Sequence, residues 1–250
     1  RAERVAGNGG GGCTAAGQDR LGAPDGGRRA GVAQAWAAAL GDAVNGVAVE
    51  CVLSPEGTRL GLAPGLADAA YEDDGQLTKR EVRAVTISSL APAPGELLWD
   101  IGGGAGSIAI EWMRAHRTCR AIAVESDNER AARIGRNAEA LGVPGLRIVN
   151  GRAPTALAEL PSPDAIFIGG GLTTEGMLDA AWAALKPGGR LVANTVTLES
   201  EALLAQWYTR IGGELIRIAA SRAKEVGGFT GWHPAMPVTQ WSVTKAADAT

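Results

Sequence analysis

The ten residues "LLWDIGGGAG", 97 to 106, constrain this chain more than any other stretch. A short apolar run that ends on an acid and then on three alternate glycines reads as a buried strand running into a turn where a ligand meets the backbone. Such a turn belongs to an open parallel sheet, where ligands bind beyond the carboxyl ends of the strands. The neighbouring sequence supplies the rest of that sheet. Strands are expected at "ELLWDIG", "RAIAVES", "LRIVNG", "DAIFIGG", "RLVANTV", "ELIRIAA" and "QWSVTK". Helices are expected at "LTKREVRAVTISSLAP", "SIAIEWMRAH", "NERAARIGRNAEALG", "TTEGMLDAAWAAL" and "SEALLAQWYTRIG". Thr78 with Glu81, and Ser126 with Glu129, have capping-box spacing at two of these helix starts. Strand and helix in alternation predict an α/β fold with a mainly parallel, doubly wound sheet.

Upstream the pattern weakens. Residues 1 to 31 are rich in glycine and poor in large apolar side chains, so much of the stretch reads as mobile. A short helix is expected at 32 to 40, a strand at 46 to 53, and a linker at 54 to 76, where turn residues and charges gather. The reading therefore divides the chain into a segment 1–66 and a domain 67–250.

The glycine turn excludes some ligands. The dinucleotide pattern G-x-G-x-x-G is met by Gly102 and Gly104 but has Ser107 in its third place, and the triphosphate loop's Lys followed by Ser or Thr is missing. What remains is Asp100 and Gly102, Gly104 and Gly106 at one strand end, with Glu125 closing the next strand. An ionised carboxylate accepts two hydrogen bonds side by side, so Glu125 suits the two hydroxyls of a ribose without phosphates. S-adenosylmethionine is a ligand of that kind. Its ribose would meet Glu125, its amino-acid part the glycine turn and Asp100, and its adenine the loop "NGRAPTAL".

Charge and cysteines bound the partners. Net charge is −3, giving no global basic field for nucleic acid or anionic lipid. No apolar run reaches membrane-spanning length, so no membrane partner is expected. Cys13, Cys51 and Cys119 are odd in number and widely spaced, which argues against a disulfide framework or a metal site and fits a cytoplasmic protein. His116 and His233 have no acid or serine at a suggestive spacing, and no catalytic residue is assigned.

"DGQLTKREVRA", "LLWDIGGGAGSIAIEW", "AVESDNERAARIGRNAEALGV", "GRAPTALAELPSPDAIFIGGG" and "LKPGGRLVANTVTLES" together resemble the cobalamin-pathway methyltransferases of the CbiT type, within the class I, Rossmann-like methyltransferases. The resemblance covers about residues 67 to 245. Residues 20 to 53 are similar to the tail of a tetrapyrrole methylase of another fold, to which such domains are fused.

The resemblance implies S-adenosylmethionine contacts at Thr78, at Gly102, Gly103, Gly104, Ala105 and Gly106, at Glu125, and at Arg152 and Ala153. It also implies C-methylation of a reduced tetrapyrrole of the precorrin-6Y/6B type, decarboxylation of an acetate side chain, and a homotetramer. For such a polycarboxylate, Lys79 is the expected contact of the cluster Lys79, Arg80 and Arg83, with Arg80 and Arg83 read as a solvated helix face. Arg222 and Lys224, expected in a loop, would add to it, and Gly169, Gly170 and Gly171 would leave room for a wide ligand. The alternatives are a class I methyltransferase acting on RNA, protein or another small molecule, a nicotinamide-dependent oxidoreductase, which Ser107 disfavours, and a non-catalytic cofactor-binding subunit.

Overall fold

The computed structural model describes residues 60–247 in full, and of the earlier residues only the backbone of three strands. The chain divides into two compact units, 1–61 and 62–250. In the first, β1 (Cys13–Gln18) pairs antiparallel with both β2 (Arg28–Val32) and β3 (Val47–Cys51). Two of these strands fall where the glycine-rich sequence reads as mobile. Ladder hydrogen bonds need only the backbone groups that Ala and Gly also carry, so small residues do not prevent pairing. The helix expected at 32 to 40 lies, beyond Val32, outside the described residues.

The second unit is built on seven strands in the order β6-β5-β4-β7-β8-β12-β9. These are β4 (Leu97–Ile101), β5 (Arg120–Glu125), β6 (Arg147–Asn150), β7 (Ala165–Ile168), β8 (Arg190–Thr195), β9 (Glu214–Ile218) and β12 (Val238–Thr244). The first five run parallel, and β12 lies antiparallel between β8 and β9. Every residue of β4 and β7 is buried, which is why these strands read as apolar runs without alternation.

Successive side chains nevertheless enter different cores. Leu98, Ala123 and Phe167 pack toward α1 (Arg80–Leu90), α2 (Ser107–Ala115) and α3 (Asn128–Ala140). Trp99, Ile101, Val124 and Ile166 pack toward α4 (Met177–Ala184) and α5 (Leu198–Ile211), where Trp207 meets Trp182 edge to face and Trp241 at a tilt. Chain order reverses between β4 and β7, and the site opens beside that switch point.

Three local expectations are corrected. Residues 62–76 are a packed strap instead of a linker, with Leu66 and Tyr71 buried in the α1–α3 core of the compact unit 62–250. Neither capping box forms. Helix α1 starts from Lys79 with no side-chain cap, and α3 is capped by Asp127, which accepts from the Arg130 amide at 2.9 Å. The segment before β12 is a hairpin, β10 (Ser221–Val226) and β11 (Phe229–Pro234), turning on Gly227 and Gly228 at φ +54° and +85°. Both turn residues have positive φ, as the tightest hairpin turn requires.

Candidate active site

A cavity of about 760 Å³ lies over the carboxyl ends of the parallel strands. It has two halves. Over β4 and β5 it is lined by the glycine turn, Glu125, Arg152 and Ala153, and over β7, β8 and β12 by Gly169, Gly170, Gly171, Asn194, Thr195 and Val238. The strap closes one side with Gln76, Leu77 and Thr78.

Asp100 is 1% exposed and shares the sheet face of Leu98, which aims its carboxylate at the start of α2. Oδ2 accepts from the Ala109 amide at 3.0 Å, while Oδ1 is buried without a partner among the described residues. Burial, reinforced by the nearby Glu125 charge and opposed by the Ala109 hydrogen bond, pushes the carboxyl up to about 7. A buried acceptor without a partner costs the protein free energy until a ligand satisfies it.

Glu125 is arranged differently. Its Oε2 accepts from the Gly104 amide at 2.9 Å and its Oε1 from the Asp127 amide at 3.0 Å. Each oxygen keeps one lone pair, so the carboxylate is fixed in place and can still accept two vicinal hydroxyls. This geometry fits a ribose at Glu125 and a cationic or hydrogen-bonding group at Asp100. The residues present therefore suit S-adenosylmethionine.

The strap is held by groups far apart in sequence. Asp74 pairs with Arg130 at 2.8 Å and Arg133 at 3.0 Å, and Glu72 with Arg136 at 2.5 Å. The Arg130 hydrogen bond, with that from Arg133, holds Asp74 down to about 2. Buried Asn137 donates both to the Glu72 carbonyl and to the Ala105 carbonyl, each at 2.9 Å, so one side chain ties strap to glycine turn.

Most expected residues meet here. Asp100, Gly102, Gly103, Gly104, Ala105, Glu125, Arg152, Ala153, Thr78, Lys79 and Gly169 to Gly171 all line the cavity. Gly106 does not. It precedes α2 at φ +77°, and a Cβ there would lie 2.8 Å from Ile134, so it lets α3 pack against the turn. Lys224 stands exposed on β10, in a strand instead of a loop, and only Arg222 of that pair reaches the cavity. Arg222 is paired with Glu81 and lies 3.9 Å from Asp68.

Arg83 is not solvated but fully buried, bound to Glu111 at 2.6 Å and Asp68 at 3.2 Å. Gly170 is crossed by Gly102, whose absent side chain allows the approach, so this glycine run serves loop packing as well as space. His116 bonds its neighbour Thr118 on the surface, and His233 is exposed on β11. Sequence reasoning missed Gln76, Arg130, Asn194, Thr197 and Ser200 of the wall. For Asn194 a signal existed, a polar side chain near the carboxyl end of an otherwise apolar strand in "RLVANTV".

Comparison with known proteins sets the chain beside the precorrin methyltransferases. The chain is 63% identical over 203 residues to a precorrin-6Y C(5,15)-methyltransferase [decarboxylating] from Sinorhizobium sp, covering 81% of this chain and 49% of that protein. It is 47% identical over 230 residues to the protein of that name from Mycobacterium tuberculosis, covering 91% of this chain and 57% of the relative. The chain thus spans about half the length of the curated relatives it matches. The crystal structure of the C-terminal domain of precorrin-6Y C5,15-methyltransferase from Rhodobacter capsulatus superposes with a TM-score of 0.71 at 46% identity, covering 74% of this chain and all of that one. The sheet is that of a class I, Rossmann-like methyltransferase, and with the precorrin methyltransferase domain profile matching residues 69–245, the chain belongs to the precorrin methyltransferase domain family.

Proposed function

We propose that this chain carries the S-adenosylmethionine-dependent C-methylation of a reduced tetrapyrrole of the precorrin-6Y/6B type, with decarboxylation of one of its acetate side chains, in cobalamin (corrin ring) biosynthesis. The observation that carries the reading is the pair of buried carboxylates either side of the glycine turn, Glu125 poised for two hydroxyls and Asp100 with an unsatisfied oxygen. The identity to precorrin-6Y methyltransferases supports the substrate class.

When bound, the cofactor supplies an electrophilic methyl group. The nucleophile is a carbon of the substrate, so the protein's task is to align it at contact distance, which positioning alone can accelerate greatly. Loss of carbon dioxide leaves electrons that the conjugated macrocycle absorbs. The wall must then orient the acetate and exclude water. Lys79 at the rim offers a charge for substrate carboxylates, and Gly169 to Gly171 offer backbone against which a flat ring can lie. The proposed reaction is cytoplasmic. Among the described residues no helix is long and apolar enough to cross a membrane. Hairpin β10–β11 exposes Val226, Phe229 and Trp232 on a ribbon separate from the main sheet. Two-stranded ribbons are marginal alone, which supports a homo-oligomer, a tetramer by resemblance, that covers this face.

The test is incubation of the chain with methyl-labelled cofactor and a reduced tetrapyrrole, expecting labelled macrocycle and released carbon dioxide. Labelled product should fall with Glu125→Ala, whose cofactor binding weakens by about 1.5–3 kcal/mol for a lost charge-assisted hydrogen bond. Absence of label from the macrocycle with the parent protein would remove the assignment.

Asp100 adds a pH dependence. Its carboxyl is raised in the fold, so the unliganded protein gains stability from the protonated form, fully present below the ordinary carboxylate range and lost as pH rises through about 7. A cationic ligand group favours the ionised form. Cofactor binding below pH 7 must therefore release a proton, and affinity should fall as the pH drops from 7 to 5.5. Calorimetric titrations in two buffers of different ionisation enthalpy read that proton directly, and Asp100→Asn should abolish its release. A pH-independent affinity for the parent would contradict the role given to Asp100.

A further inference from the structure

We infer that Asn194 is a substrate-contacting residue of this site, held in a single orientation by Thr86 and Gln240 as positioning residues. The inference rests on the methyltransferase reading above. Asn194 stands one residue from the carboxyl end of β8 and lines the half of the cavity away from Asp100 and Glu125. Since those two carboxylates claim the β4–β5 half for the cofactor, the β7–β8 half faces the second reactant.

Behind Asn194 lies a closed polar network in an otherwise apolar layer between α1, β8 and β12. Gln240 is its register partner on β12 and is 1% exposed. The Gln240 Nε2 donates to Asn194 Oδ1 at 2.9 Å and to Thr86 Oγ1 at 3.0 Å, and its Oε1 accepts from Ser89 Oγ at 3.0 Å. Thr86 Oγ1 donates to the Val82 carbonyl at 2.8 Å and also accepts from Asn194 Nδ2 at 2.8 Å.

Donor and acceptor counts fix the amide. Gln240 Nε2 can only donate, so the Asn194 atom it meets must be the oxygen. The Thr86 hydroxyl proton is spent on Val82, so toward Asn194 it can only accept. Asn194 is therefore locked without freedom to flip, and among the described residues it keeps one Nδ2–H and one Oδ1 lone pair uncommitted. Buried polar groups are costly unless fully paired, and a fully paired network fixes a unique arrangement. Here the member that reaches the cavity wall is Asn194, and what the network secures is an amide whose remaining N–H can donate to an oxygen or imine nitrogen of the tetrapyrrole.

Steady-state kinetics and cofactor titration on the full chain test this. Asn194→Ala should lower kcat/KM for the tetrapyrrole about tenfold, as expected for a lost hydrogen bond, with the cofactor Kd within twofold of the parent. Thr86→Val, which keeps shape but removes the acceptor, should lower kcat/KM about threefold, and Thr86→Ser should restore it. A purely structural network predicts instead a lower melting temperature with unchanged kinetics at temperatures where the variants are folded, and that result would overturn the inference while leaving the methyltransferase reading intact. A parent protein that methylates no tetrapyrrole would overturn both.

Discussion

Glu111→Ala is expected to destabilise the protein by about 3–5 kcal/mol, the cost of stripping a buried charge of its partner. Glu111 lies on α2 among apolar neighbours and is 4% exposed. Its carboxylate accepts from the Gly65 amide at 2.6 Å, the Leu66 amide at 3.0 Å, the Tyr71 hydroxyl at 3.1 Å and Arg83 Nε at 2.6 Å. Burial and the Glu111 charge push the Tyr71 hydroxyl upward, so it remains a donor. Removing the carboxylate leaves the guanidinium of Arg83 buried with Asp68, two carbonyls and the face of the Tyr71 ring, and frees three strap donors. The strap carries Gln76 to Thr78 in the cavity wall, so cofactor affinity should fall as well. Tyr71→Phe removes one hydrogen bond and should cost about 1 kcal/mol. Urea denaturation compares the two, and hydrogen exchange at the amides of Gly65 and Leu66 should rise only in Glu111→Ala. A loss below 1 kcal/mol for Glu111→Ala would show that the strap is held by other contacts.

That cluster also marks where sequence reading stops. The central strands were legible because burial on both faces removes alternation and leaves short apolar runs, in which Asp100 and Glu125 stand out as misplaced acids. The glycine turn was legible for the same reason, since its residue types are needed locally. The strap was not. "YEDDGQ" has the composition of a solvated linker, and the partners of its acids, Arg130, Arg133 and Arg136, lie 56 or more residues away on α3. Arg83 reads as a surface charge until Glu111, 28 residues on, is placed beside it. The hairpin is the opposite case. "VGGF" carries a two-glycine turn signal, but its flanks lack strong alternation, so the stretch reads as a loop.

The glycines divide along the same line between local and distant causes, and this yields the second large effect. Gly102→Val should abolish cofactor binding, with affinity reduced by more than about a hundredfold, about 3 kcal/mol. Gly102 has φ +75°, where a β-branched residue is strained, and its Cβ would lie 2.7 Å from the Gly170 amide nitrogen and 2.9 Å from the Gly170 Cα. Those are backbone atoms, so no side chain can yield. The turn after β4 must separate from the turn after β7, and that contact is where the two halves of the cavity meet.

Backbone strain alone is a smaller matter. Gly95 has φ +84° with nothing within 4 Å of its Cβ position, so Gly95→Ala carries the conformational cost without the collision, about 1–2 kcal/mol of stability and no change in cofactor Kd. Gly104 lies between them, at φ +57° with a Cβ position 3.3 Å from the Gln76 carbonyl oxygen, which the strap could relieve by shifting a few tenths of an ångström. The expected order of lost cofactor affinity is therefore Gly102→Val, then Gly104→Val, then Gly95→Ala, read by calorimetric titration on variants whose far-ultraviolet circular dichroism matches the parent. If Gly102→Val bound the cofactor as tightly as Gly95→Ala, the close crossing of the two turns would have no part in shaping the site, and the glycines after β4 would be explained by turn conformation alone.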